Sequence, residues 1–250
     1  MSADETNMAR HMVDRFMSEH ALPTGPEHAC PYLPGRTACS EGFETSDLDD
    51  ALYLAFMDRG FRRSGNVIYR PSCRTCAECI PIRIPVPQFR LSRSMKRVWR
   101  RNRDLHVEVG PPVPDKEKYQ VYVRYLDHQH DGTMTGSRDE FLDFLYNSPV
   151  QTLEFTFRLG RRLVGASLAD RCRNVLSAVY MYFDPEHRRR GLGTYSILWE
   201  IAYAARQNLD YYYLGYFVAD CPKMSYKAHY RPFELLHPNG RWEPGPDRTE

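Results

Sequence analysis

The sequence predicts a mixed α/β (α+β) protein. Three segments of strand composition, 153–159, 163–169 and 175–183, follow one another, and the turn Gly160-Arg161-Arg162 makes the first two antiparallel. A segment of helical spacing, 191–208, and a further strand segment, 210–217, come next. Of 250 residues, 42% are hydrophobic, 26% charged and 13% aromatic, which provides a core and excludes disorder, collagen and coiled coil as the main architecture.

Residues 1 to about 45 are polar and rich in Pro and Gly, and read as a loop-rich lead-in. At Ser46 a cap and the acids Asp47, Asp49 and Asp50 mark a helix start; Leu48, Leu52, Ala55 and Phe56 form its face and Gly60 stops it. Residues 67–69 and 80–86 read as strands, the second broken by Pro81 and Pro85. A basic helix begins at about Ser92, a short strand covers 105–109, and Gly110 to Pro114 is a turn or linker. Tyr119, Tyr122, Val123 and Leu126 share one helix face. Ser137 and Glu140 form a capping-box pattern before Phe141, Phe144 and Leu145. A short helix covers 221–230, and residues 237–240 form a closing turn. No apolar run approaches the roughly 20 residues that span a bilayer. The acid-bearing first residues lack a secretory signal, so a cytoplasmic protein with no membrane partner is expected.

The net charge of +2 hides a polarity. Between Arg59 and Arg103 stand thirteen basic residues and one acid, Glu78, a local charge of +12. Arg93, Lys96, Arg97, Arg100 and Arg101 recur at i, i+3, i+4, i+7 and i+8, one face of a helix, while Met95, Val98 and Leu105 can face a core. Like charges so spaced repel, and a polyanion relieves the repulsion and releases counterions. The pattern points to phosphate binding.

Seven cysteines without an export signal read as thiols or metal ligands. Cys73, Cys76 and Cys79 form C-x2-C-x2-C, and Cys30 or Cys39 would complete four ligands for structural zinc or an iron–sulfur cluster. The second C-x2-C of a zinc ribbon is missing. Buried free thiols are the alternative.

Arg188-Arg189-Arg190-Gly191-Leu192-Gly193 lies between a strand and a helix. Two glycines let a backbone approach a ligand, and amides at a helix N-terminus bind anions. This strand–R-x-x-G-x-G–helix arrangement resembles the pyrophosphate loop of the GNAT acyltransferases.

Five stretches in order carry a more specific resemblance: CPYLPGR (30–36), GFRRSGNVIYRPSCRTCAECIPIRI (60–84), FRLSRSMKRVWRRNRDL (89–105), LSAVYMYFDPEHRRRGLGTYSILWEI (176–201) and YYYLGYFVADCPKMSYKAHYRPFELL (211–236). Together they resemble the aminoacyl-tRNA–protein transferases. The length and the cysteine run are closer to the bacterial aspartate/glutamate leucyltransferase branch than to the longer eukaryotic arginyltransferases. The latter have a second cysteine where this chain has Leu33, so their iron–sulfur cluster transfers only in part.

The resemblance implies a GNAT-like fold, with a Cys-containing basic lobe over 1–110 and a transferase domain over 111–250. It implies transfer of leucine from leucyl-tRNA to an N-terminal Asp or Glu of an acceptor protein, marking it for degradation in the N-degron pathway. The α-amine attacks the ester carbonyl, and an amide replaces the ester. Arg83, Arg93, Lys223 and Lys227 are candidates to bind the acceptor carboxylate. Lys223 and Lys227, at i and i+4, share a face if 221–230 is helical. Asp220 is the candidate for handling the amine proton, or else caps that helix. Tyr195 and Tyr226, with Tyr180 and Tyr230, are candidates to donate to the oxyanion or orient the terminal adenosine. Lys96, Arg97, Arg100, Arg101, Arg188, Gly191 and Gly193 are the candidate tRNA contacts. Cys30, Cys73, Cys76 and Cys79 are the candidate metal ligands, and the transfer itself requires no cofactor. An arginyl-tRNA donor would keep this mechanism. A CoA-dependent acetyltransferase explains the glycine turn alone. A zinc-stabilised nucleic-acid-binding module explains the basic helix and the cysteines alone.

Overall fold

The computed structural model describes residues 3–129 and 136–246. The chain opens with a helix, α1 (Ala3–Glu19), two short strands, β1 (His28–Ala29) and β2 (Thr37–Ala38), and then β3 (Ser40–Glu44). The loop-rich reading of this region is therefore corrected. Ala9, Val13, Phe16 and Met17 give α1 an apolar seam that packs with the next helix, α2 (Asp50–Met57). Its exposed Met8 and Met12 and its many polar residues mask that seam in the sequence. The α2 start also moves. Asp49, not Ser46, is the cap, and its Oδ1 accepts from the amides of Ala51 and Leu52 at 2.7 and 3.3 Å.

β4 (Arg62–Ser64) and β5 (Val67–Pro71) join β3 in a small sheet ordered β3-β5-β4. β6 (Ile80–Pro85) leads to α3 (Arg93–Arg101), capped by Ser92 Oγ on the amide of Met95. β7 (Leu105–Gly110), α4 (Lys116–Gln129) and α5 (Arg138–Leu145) follow, with Ser137 capping α5 as its capping-box pattern predicts. β8 (Thr152–Leu159), β9 (Arg162–Cys172) and β10 (Val175–Phe183) are consecutive antiparallel strands. A 3-10 segment (Pro185–Arg190) precedes α6 (Leu192–Arg206), and β11 (Tyr211–Phe217) comes next. The expected helix over 221–230 is a single α turn, α7 (Pro222–Ser225), running into a 3-10 turn (Tyr226–His229). The hairpin β12 (Glu234–Leu236) and β13 (Trp242–Pro244) ends the described chain, joined by the turn expected at 237–240.

One eight-stranded mixed sheet organises the molecule, in the order β13-β12-β6-β11-β10-β9-β8-β7. It draws strands from both sides of residue 110, since β6 and β7 belong to it. The alternation of side chains along each strand separates its two faces. Leu176, Tyr212 and Leu214 turn towards α3 and α6. Val175, Tyr211 and Tyr213 turn towards α1 and α2, and α4 and α5 cover Leu163, Leu168 and Tyr182. No helix among the described residues is long and apolar enough to cross a membrane.

Candidate active site

Every neighbouring pair in the large sheet is antiparallel except β10 and β11. These two strands pair only at Val175–Ser177 with Tyr211–Tyr213. Beyond that point each becomes irregular. β10 shifts register against β9 between Ala178 and Tyr180, and β11 shifts against β6 between Tyr213 and Tyr216. Gly215 stands at φ +90°, which disfavours any residue with a Cβ. The strands part, and a cavity of about 570 Å³ opens between them. α6 contributes Gly193, Ser196 and Glu200 to its wall, α7 and the following turn contribute Lys223, Tyr226 and Lys227, and β4 contributes Arg62 and Arg63.

Glu200 is 2% exposed, in a helix face otherwise made of Ile197, Leu198, Ile201 and Ala204. Its two carboxyl oxygens accept from Ser167 Oγ and Tyr212 OH, each at 2.6 Å. Burial pushes the carboxyl up to about 7, against the pull of those two hydrogen bonds. Lys227 is also buried. Its ammonium donates to the Tyr216 carbonyl at 2.7 Å, and burial, reinforced by Arg62, brings it down to about 7. Arg63 forms a fully buried, two-bond ion pair with Asp170, at 2.9 and 2.7 Å, and Tyr53 OH donates to the same carboxylate at 2.8 Å.

The structure brings together Lys223, Lys227, Tyr226, Tyr180 and Gly193 of the expected site. The two lysines do not share one helix face, because the α turn gives way to a 3-10 turn between them; Lys223 is exposed and Lys227 buried. Other expected residues lie elsewhere. Asp220 is exposed and off the cavity wall, and α7 is capped at Cys221 with no side-chain bond. Tyr195 is packed in the core against Trp99 and Phe157, one turn along the apolar face from Leu192. Tyr230 is buried against Phe89. Arg83 is held by Glu234 at 2.7 Å and lies over the Tyr211 ring, lining a separate cavity of about 700 Å³. Arg93 is exposed at the start of α3.

The basic sector is not one continuous surface. Arg59 pairs with Asp14, Arg70 with Glu41 and Arg83 with Glu234, while Arg62 and Arg63 are buried. Arg74, Arg90 and Arg103 stay exposed, as does the α3 face of Arg93, Lys96, Arg97, Arg100 and Arg101, and among the described residues no carboxylate is within ion-pair distance of the five on α3. This helix is fastened to the glycine turn. Arg101 donates to the Arg189 carbonyl, Asn102 Nδ2 to the Arg190 carbonyl at 2.9 Å, and Arg190 pairs with Asp104 at 2.9 Å. Gly191 adopts φ +69° at the start of α6, and Arg188 is exposed beside it. The expected tRNA contacts thus lie on joined elements, with Gly193 also reaching the cavity.

Cys30, Cys73, Cys76 and Cys79 all line a second cavity of about 470 Å³. Tyr32, Tyr69 and Tyr216 border both this cavity and the one between β10 and β11. The Leu33 amide donates to Cys30 Sγ at 3.4 Å and Arg36 to Cys76 Sγ at 3.1 Å. A set of thiols suits zinc or a cluster chemically. Nevertheless, among the described residues no three Cys, His, Asp or Glu side chains converge closely enough to hold a metal ion.

Sequence reasoning missed Glu200 and the burial of Arg62. An acid amid the apolar face of α6 was a legible signal for the first. Nothing local distinguishes Arg62 from the exposed arginines of the basic sector.

Residues 28–97 match the N-terminal family of the arginine-tRNA-protein transferases, and residues 117–237 match the C-terminal one. An aspartate/glutamate leucyltransferase of Pseudomonas fluorescens (strain Pf0-1) is 44% identical over 218 residues, which is 86% of this chain and 92% of the relative. One from Stutzerimonas stutzeri (strain A1501) is 44% identical over the same shares. Among solved structures, the C-terminal domain of a putative lysylphosphatidylglycerol synthetase from Agrobacterium fabrum aligns at TM-score 0.49 and 13% identity, covering 97% of this chain and 90% of that one. With both family regions matched in order and relatives this similar along most of its length, the chain belongs to the arginine-tRNA-protein transferase family.

Proposed function

We propose that this protein moves leucine from leucyl-tRNA onto an N-terminal Asp or Glu of an acceptor protein, in the cytoplasm where charged tRNA resides, on a GNAT-like core formed by β8 to β11 and α6. The observation that carries this reading is the cavity between the parted strands β10 and β11. It contains a buried acid and buried cations, and Gly193 links its wall to the turn fastened to an unpaired basic helix.

The α3 face and Arg188 would neutralise tRNA phosphates, and the aminoacyl end would pass Gly191 and Gly193 into the cavity. The ester is already activated, so the transfer needs no cofactor. A free α-amine, of ordinary pKa near 7.7–8.0, is partly neutral at cellular pH. It attacks the ester carbonyl carbon, the carbonyl electrons collect on oxygen, and the bond to the ribose oxygen then breaks. The amine loses one proton and the ribose oxygen gains one. Glu200, brought by burial to about 7, is matched to accept the first and return it to the second. Tyr226, which also lines the cavity and is 38% exposed, can donate to the oxyanion.

A transfer assay with labelled leucyl-tRNA, in buffer containing a chelator, tests this reading. Peptides beginning with Asp, Glu, Asn, Gln or Ala serve as acceptors, and arginyl-tRNA as a parallel donor. Label on the Asp and Glu peptides from leucyl-tRNA is the expected result. Transfer from arginyl-tRNA instead overturns the donor, and no transfer from either overturns the reaction.

A further inference from the structure

The cavity between β10 and β11 has an unusual charge balance. Four basic side chains and one carboxyl, Glu200, line it. Arg63 is neutralised by Asp170, and Lys223 is exposed to water. Arg62 and Lys227 have neither relief. They are 6% and 8% exposed, and among the described residues no carboxylate is within ion-pair distance of either. Burying a cation without a counter-ion is costly, and Lys227 meets that cost by holding its proton only weakly, so an anion seated between the two groups would restore the lysine's charge and pair both.

Their placement specifies the anion's seat. Arg62 Nη2 reaches the carbonyls of Ala178 and Tyr213, at 3.5 and 3.4 Å. Ala178 is where β10 turns irregular, and Tyr213 is the last residue of β11 paired with β10. The guanidinium therefore sits where the strands part. Both of its contacts are long, which leaves most of a five-donor fork for a ligand. Lys227 reaches the same strand, β11, three residues further on. Its nitrogen donates to Tyr216 and lies 3.3 Å from where a Cβ on Gly215 would be, a close approach to the β11 backbone. Arg62 and Lys227 line the same cavity, and the Arg62 charge also depresses the Lys227 ammonium.

We propose that Arg62 and Lys227 together bind the side-chain carboxylate of the acceptor's N-terminal Asp or Glu, and so set acceptor specificity. This deepens the transfer reaction proposed above and rests on it. A planar carboxylate matches the guanidinium fork, and a cavity floor reached between two strands admits a side chain. The tRNA phosphates have the exposed α3 face already. An amide in place of the carboxylate would leave both cations buried and unpaired, which is how a polar site rejects a near-isostere.

The test compares the wild type with Arg62→Met, Arg62→Lys and Lys227→Met at saturating leucyl-tRNA. Acceptors are matched peptides beginning with Asp or Asn and with Glu or Gln. The wild type should prefer each acid over its amide. Arg62→Met and Lys227→Met should each lose that preference on the order of tenfold or more, through a raised KM for the acid peptides, as expected when one partner of a charged hydrogen bond is removed. The KM for leucyl-tRNA should not move, and Arg62→Lys should retain part of the preference. Equal losses on acid and amide peptides would reduce both residues to a structural role. A raised KM for leucyl-tRNA would reassign them to a tRNA phosphate. Should one variant fail to fold, the other decides, since they come from different elements. A wild type that transfers to no peptide refutes the reaction itself. A wild type that transfers, with variants that keep its preference, refutes this clamp alone.

Discussion

At the residue scale, an acid and an amine that line one cavity are both brought by burial to about 7, Glu200 from below and Lys227 from above. For Glu200 the sign is set by desolvation: its folded value lies above that of a free glutamate, so the native state holds a proton that the unfolded state releases. The stability contributed by its protonated form is present below about pH 4 and is lost as pH rises through about 7. Glu200→Gln should therefore melt higher relative to wild type at pH 9 than at pH 4, a difference that thermal denaturation at the two pH values would read. As the proton acceptor, Glu200 acts ionised, so wild-type kcat should rise through an apparent pKa near 7. Glu200→Gln should remove that limb and lower kcat on the order of 10²-fold or more. A variant with an unchanged profile would take Glu200 out of the proton path. The acid was legible as an oddity among apolar neighbours, but its partners Ser167 and Tyr212 come from β9 and β11, which no local pattern joins to α6.

At the element scale, α3 shows how far spacing alone reaches. Its basic face and the inward Met95 follow from residue order, and the structure keeps both and adds the Ser92 cap. The fastening of its end to the glycine turn, through Arg101, Asn102 and Arg190, spans some 88 residues and has no sequence signature. Reversing Lys96 and Arg100 to Glu should weaken tRNA binding while leaving the KM for acceptor peptides in place. The slope of log affinity against log salt should also become shallower, by roughly 0.7–0.9 for each phosphate that is no longer neutralised. A filter-binding titration across salt concentrations reads this, and an unchanged slope would move the tRNA to another surface. α1 and the turn after α7 depart from the sequence expectation for a shared reason. Each takes its form from what it packs against, α2 for the first and the wall of β11 for the second.

At the scale of the whole molecule, the small sheet is joined to the large one by a buried charge pair. Arg63 of β4 and Asp170 of β9, fully enclosed, are supported by Tyr53 and Thr152. Removing one partner strands the other charge, so Arg63→Met should cost about 3–5 kcal/mol. The double variant Arg63→Met with Asp170→Leu should recover much of that. Chemical denaturation of the single and double variants measures both, and a mild single variant would mean that Asp170 is satisfied by its hydroxyl partners alone. What the sequence determined by itself is the succession of elements in the second half, the basic helix, the glycine turn and the family. Each is written in short-range spacing or in contiguous motifs. What only the tertiary structure decided is which of many arginines, tyrosines and acids share the cavity. Arg62 is buried and Arg97 exposed, Tyr226 lines the cavity and Tyr195 the core, and Glu200 lies on the cavity wall while Asp220 lies off it. The physical reason is that the cavity exists only where β10 and β11 part, and side chains from β4, α6 and the turn after α7 meet there through pairings between distant parts of the chain.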